Sequence, residues 1–118
     1  MVDVRPLNPR AFLEIARSLA QNRDEASLRT AVNRAYYTAF LVARSKMLIT
    51  GPRDVHSRVI RVLEAMPGQA ATAQNLRALR RLRIAADYQM FVMDPVYQDW
   101  ERNWHRAEQL ANHILSRL

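Results

Sequence analysis

Residues 25–49 read EASLRTAVNRAYYTAFLVARSKMLI, and this run decides the fold. At 100° per residue, Leu28, Ala31, Val32, Ala35, Tyr36, Ala39, Phe40, Ala43 and Met47 form one unbroken apolar stripe. Tyr37, Leu41 and Leu48 make a second apolar face. A helix this long that is apolar on two sides belongs at the centre of a helical protein. Gly51-Pro52 is its expected stop.

On the N-terminal side, Asn8-Pro9 is a helix start, with Asn as cap and Pro at the first helical position. Phe12, Ile15, Ala16, Leu19 and Ala20 carry that helix to about Gln21. Asn22-Arg23-Asp24 makes a turn, and Asp24 is placed to cap the central helix. On the C-terminal side, a third helix is predicted from Asp54 to about Ala65, with Val55, Val59, Ile60 and Leu63 inward. Met66-Pro67-Gly68 breaks it. The spacing predicts a fourth helix from about Ala71 to Met93, and Asp94-Pro95 opens a fifth that runs to the C-terminus. Tyr97, Trp100, Trp104, Ala107, Ala111, Ile114 and Leu118 share one stripe of it. No strand-like alternation of useful length competes. The expected fold is all-α: one domain over residues 1–118, arranged as a five-helix up-down bundle.

Composition narrows the function classes. The chain has 118 residues, 49% of them hydrophobic, which suffices for one core without a staple. There is no cysteine, so disulfides, thiolate metal sites, iron–sulfur clusters and cysteine nucleophiles are excluded. Two glycines, Gly51 and Gly68, cannot build a phosphate-cradling loop. His105 and His113 stand eight apart, not the four that lets two histidines hold one metal on a helix face. No cofactor, metal site or serine nucleophile motif is expected. No run approaches a membrane span and no signal-peptide core opens the chain, so a cytoplasmic protein without membrane contact is expected.

The charge is uneven. The net charge is +7, but Arg29 to Arg83 holds 11 bases against two acids, while the rest is −2. A basic middle between near-neutral ends suggests an anionic partner, or a solvated arginine-rich surface.

Leu76-Arg-Ala-Leu-Arg-Arg-Leu-Arg-Ile-Ala-Ala-Asp-Tyr88 is the most informative segment for chemistry. Leu76, Leu79, Arg83 and Met90 fall on one line, with Arg80 and Asp87 close beside it. A guanidinium on an apolar line is costly unless paired. Two readings follow: an internal Arg83–Asp87 ion pair, or an arginine held to grip phosphate with its planar fork. Arg34 and Tyr37 lie one turn apart on the central helix, where a tyrosine near arginines can stack a base or simply pack. Tyr36 lies on the core stripe, so its hydroxyl needs a partner. His56, near the start of the third helix, is an acid, base or donor candidate, or else a surface histidine. Tyr97, Trp100 and Trp104 form core or a dimer seam, with a nucleobase platform as the lesser reading. With the central stripe they offer more apolar surface than one small bundle easily hides, which predicts a homodimer.

Taken in order, Ala-Arg-Ser-Leu-Ala (16–20), Ala-Val-Asn-Arg-Ala-Tyr-Tyr-Thr-Ala-Phe (31–40), a His-containing third helix and Leu-Arg-Ile-Ala-Ala-Asp-Tyr (82–88) resemble a HEPN domain over about residues 9 to 118. The resemblance implies an all-α bundle, usually a two-fold dimer, that binds nucleotides or RNA. Many members are metal-independent ribonucleases of toxin–antitoxin, phage-defence and CRISPR systems; others are partners of small nucleotidyltransferases. Active members carry an arginine, four to six residues, then a histidine, and the paired motifs meet across the dimer seam. Here Arg83 matches the arginine, four residues follow, and Tyr88 stands where the histidine is expected. A second formal match, Arg106 to His113, lies in the last helix and carries no catalytic assignment.

The loss of that histidine matters chemically. Metal-free RNA cleavage needs a group of near-neutral pKa to move the 2′-hydroxyl or leaving-group proton. A tyrosine, with a reference pKa of about 10, does this poorly. The reading placed first is therefore an RNA- or nucleotide-binding homodimer, with Arg34, Tyr37, Arg80, Arg83, Asp87 and Tyr88 near the centre of its surface. The alternatives are a metal-independent endoribonuclease toxin using Arg83 with Tyr88 or His56, and a non-catalytic partner of a nucleotidyltransferase-like antitoxin.

Overall fold

A computed structural model describes residues 8–118. Five α-helices account for the fold, and no strand occurs among the described residues: α1 (Pro9–Ala20), α2 (Glu25–Lys46), α3 (Val55–Ala65), α4 (Ala70–Tyr88) and α5 (Trp100–Arg117). A 3₁₀ turn, Pro95–Tyr97, precedes α5. Helix α2 packs against all four others, most extensively α1 and α5, so it is the central helix the stripe predicts. Ala31, Ala35, Ala39 and Ala43, each four residues on, are fully buried in one row. Their short side chains let neighbouring helix axes approach closely. Ala16 and Ala20 of α1, and Ala107 and Ala111 of α5, supply buried small residues of the same kind.

The helix starts follow local chemistry. Asn8 Oδ1 accepts from the Arg10 amide, with Pro9 next. Asp24 accepts from the Ser27 amide and from its hydroxyl, both at 2.8 Å. These satisfy amides that a helix start leaves without partners.

Helix boundaries depart from expectation in three places, the first for a local reason. Helix α2 stops at Lys46 rather than Ile49. Leu48 turns to φ +53°, and Arg44 takes the Ile49 and Gly51 carbonyls, so the chain leaves the helix and buries Ile49. Helix α4 stops at Tyr88 rather than Met93. Arg29 of α2 donates through Nη1 to the carbonyls of Ala85, Ala86 and Gln89, at 3.3, 3.3 and 2.6 Å. A cation on a helix's last carbonyls ends it favourably. Arg29 is itself held over the Trp100 ring at 4.5 Å and beside Glu25. Met90, which the helical line placed beside Arg83, therefore lies beyond the helix and is exposed. Asp94-Pro95 opens only the 3₁₀ turn; the cap of α5 is Asp99, which accepts from the Arg102 amide.

Trp100 and Trp104 are buried within this one chain. That removes the aromatic stripe as a seam left over for a second copy. Exposed large apolar residues instead cluster from the end of α4 into the α4–α5 connection, at Tyr88, Met90, Phe91, Met93 and Val96, while Ile15, Leu48, Val62, Met66 and Ile84 are exposed elsewhere. No helix among the described residues is long and apolar enough to cross a membrane.

Candidate functional site

Helix α4 turns one face toward α2 and α3, and the polar residues of that face gather around Arg83. Its Nη2 donates to the Tyr37 hydroxyl at 2.8 Å and, more weakly, to the Tyr88 hydroxyl at 3.4 Å. Its guanidinium carbon lies 5.2 Å from the centres of both rings and 5.8 Å from that of Tyr36. Three aromatic faces thus surround one cation, each contributing attraction of order 1 kcal/mol. Asp87 Oδ2 stands 2.9 Å from Arg83 Nε, and accepts from Asn33 Nδ2 at 2.7 Å. The Arg83 Nε–H is not aimed at that oxygen, so the pair is coulombic and the buried Nε–H has no aligned acceptor. Arg83 keeps only 12% of its side-chain surface. The internal ion pair, one of the two readings of the segment, is present.

One turn earlier, Arg80 reaches across to α3, where its Nη1 is 3.4 Å from Ser57 Oγ. Its Nε–H is also buried without an acceptor among the described residues. Those two Nε–H groups are shielded from solvent, whereas Arg80 Nη2 and Arg83 Nη1 make no hydrogen bond among the described residues and are not enclosed, so they are the donors open to water or an anion.

His56 is brought into the same cluster. Its ring stacks on Phe40 with centres 4.2 Å apart, and its Nδ1 lies 2.5 Å from the fully buried Tyr36 hydroxyl. Burial pushes the Tyr36 phenol well above its ordinary value, although Arg80 and Arg83 pull the other way, so it keeps its proton. A buried hydroxyl must donate, and among the described residues Nδ1 is its one partner. Tyr36 therefore donates to Nδ1, which puts the histidine proton on Nε2. Burial, with Arg80, Arg83 and Arg44, also pushes His56 below the ordinary histidine value, so the ring is neutral at pH 7. In this state His56 offers an Nε2–H donor and no free basic nitrogen. Arg83 stays charged: burial alone would loosen its proton, but Tyr37, Tyr88 and Asp87 more than compensate.

Of the residues singled out in the sequence, Tyr37, His56, Arg80, Arg83, Asp87 and Tyr88 come together. Arg34 does not: it is exposed, and its side chain makes no hydrogen bond or ion pair among the described residues. Asn33 and Phe40 belong to the cluster and were not anticipated as parts of it. Asn33, Tyr37 and Phe40 recur at helical spacing, which was a legible signal; Ser57 carried none. The cavities described lie away from Arg83. No group of His, Asp and Glu placed to hold a metal occurs among the described residues. Comparison with known protein families, curated proteins and solved structures gives no match.

Proposed function

We propose that this chain is a HEPN-like up-down bundle that binds RNA or a nucleotide as a homodimer, without cleaving it, in a toxin–antitoxin or defence setting. The observation that carries the binding role is the α4 face just described. Arg80 Nη2 and Arg83 Nη1 lack protein acceptors among the described residues, and the Nε2–H of His56 belongs to the same cluster. A phosphate oxygen is the acceptor this donor set fits. Tyr88, 70% exposed beside Arg83, supplies a ring on which a base can stack. Asp87 is held by Asn33 and Arg83, so it orients the arginine rather than repelling the ligand.

Two observations favour binding over cleavage. Tyr88 stands where the HEPN resemblance expects a histidine, and Tyr36 occupies the nitrogen through which His56 would act as base. For the dimer, Tyr88, Met90, Phe91, Met93 and Val96 expose five large apolar side chains within nine residues. Tyr88 joins that surface to Arg83, so a two-fold mate seated there would bring both arginine clusters to one seam.

The test is a short RNA titrated in EDTA at two salt concentrations, with intact RNA scored in the same tubes. Wild type should bind in low salt, release in high salt and leave the RNA whole. Arg80→Ala and Tyr88→Ala should each weaken binding about tenfold, and Phe91→Glu should yield a monomer in sedimentation. Binding indifferent to salt and to both substitutions would refute the reading. EDTA-resistant cleavage lost in Arg83→Ala and His56→Gln would replace it with the ribonuclease.

A further inference from the structure

On the other side of α4 lies a second cationic site. A cleft of about 280 Å³ opens between α4, the 3₁₀ turn and α5. Arg81 comes from α4, and Arg102 and Arg106 come from α5. Leu82, Tyr97 and Leu110 give it an apolar lining. No acidic residue lines it. Arg17, Arg29, Arg77 and Arg83 each have a carboxylate partner, but these three arginines have none among the described residues.

The three side chains are exposed, and their positions leave a small like-charge repulsion that an anion would relieve. Arg102 and Arg106 are four apart on one helix, where like charges repel. Arg102 also sits in the first turn of α5, near the positive end of the helix dipole. Arg81 adds a third charge from the facing helix. The wall is nevertheless built: buried Asn103 donates through Nδ2 to the Tyr97 carbonyl at 2.8 Å, which fixes the turn carrying that ring. Three exposed arginines lining one cleft with an apolar wall suit an anion with a body attached better than a bare ion.

We propose that this cleft binds a small organic phosphate, with the phosphate among Arg81, Arg102 and Arg106 and a compact planar or apolar portion against Leu82, Tyr97 and Leu110. The volume falls just under the usual range of small-molecule sites, about 300–1,000 Å³, so the ligand is no larger than a mononucleotide. The site is independent of the Arg83 cluster. Two residues of helix separate Arg81 from Arg83, which turns their side chains roughly 160° apart.

The probes are AMP, adenosine and inorganic phosphate, titrated into the intact chain by calorimetry, with NMR shifts at Tyr97 and Leu110 locating the contact. AMP should bind at least tenfold more tightly than either fragment and move both residues. An Arg102→Gln/Arg106→Gln double variant should lose at least tenfold in AMP affinity while keeping its helical circular dichroism and its salt-sensitive RNA binding. Arg80→Ala should leave the AMP-induced shifts at Tyr97 and Leu110 intact, which separates failure of this site from failure of the RNA surface. The proposal is overturned by AMP that does not move Tyr97 and Leu110, by shifts there that survive the double variant, by phosphate binding as tightly as AMP, or by shifts there lost in Arg80→Ala.

Discussion

Arg81 and Arg83 stand two residues apart on one helix and live in opposite circumstances. Arg83 faces α2, with Asp87 and Asn33 on one side and three tyrosines around it. Arg81 faces α5, where the other charged groups lining its cleft are also arginines. The first arginine holds the bundle together and offers the remainder of its donors to a ligand. The second contributes charge that the protein does not neutralise. Identical side chains thus have different work, set by what the facing helix presents.

The comparison is broken most directly by truncating each arginine. Arg83→Ala leaves Asp87 without its cation and Tyr37 without its donor. The expected loss is about 3 kcal/mol, the low end for breaking a buried pair, because Asp87 keeps some solvent. Arg81→Ala should stay within about 0.5 kcal/mol of wild type, as surface changes do. Urea denaturation of the two variants reads the difference, and equal losses would erase the distinction. Next in size is Arg29→Ala, which removes three carbonyl bonds and the Trp100 contact at the end of α4. About 2 kcal/mol should be lost, with faster amide exchange confined first to the last turn of α4.

That end of α4 also marks how far the sequence is legible. The central stripe of α2, the Asn8-Pro9 start and the Asp24 cap are local patterns, and local patterns place them correctly. The stop at Tyr88 is made by Arg29, nearly sixty residues earlier. Nothing between Ala85 and Met93 announces it. Asp94-Pro95 and Asp99 are both good caps, and only packing of Trp100 into the core selects the second. At the site, the Arg83–Asp87 pair was legible because it spans one helical turn. That Tyr36 needs a partner was legible too, but its identity as His56 was not, since α2 and α3 meet only in the fold. Linear charge balance points at the basic middle; Arg102 and Arg106 lie in a near-neutral stretch, and only the fold places them in one cleft with Arg81.

The Tyr36–His56 bond sharpens the comparison on the Arg83 side. Tyr36→Phe should cost about 1 kcal/mol, the worth of one hydrogen bond. The more specific readout is ¹⁵N NMR of the imidazole: wild type carries its proton on Nε2, and the variant should become a mixture of tautomers. A wild-type ring protonated on Nδ1 would remove the argument that His56 is a donor rather than a base. Acid dependence follows from the same surroundings. Burial, with Arg80, Arg83 and Arg44, holds His56 below the ordinary value of 6.5. Below pH 6.5 the unfolded chain binds more protons than the folded one, so stability is full above that pH and is lost as pH falls through the folded value. The urea midpoint should drop on acidification from pH 7 to 5.5, and His56→Gln, which does not titrate, should flatten that drop.

The smallest effect has the opposite sign and is the most discriminating. Arg106→Gln removes one of two like charges four residues apart, with Arg81 opposite, and takes no carboxylate partner away among the described residues. Relief of such a pair is worth about 0.2–0.5 kcal/mol. At low ionic strength the variant should therefore be slightly more stable than wild type. Added salt screens exposed charges over about 3 Å at 1 M, so the gain should vanish there. Saturating AMP should reverse the order, because only the wild-type cleft keeps its full set of cations for the phosphate and is stabilised by its ligand. If Arg106→Gln instead destabilises the free chain at every salt concentration, Arg106 is held by the protein as Arg83 is, and the two faces of α4 do not differ in kind.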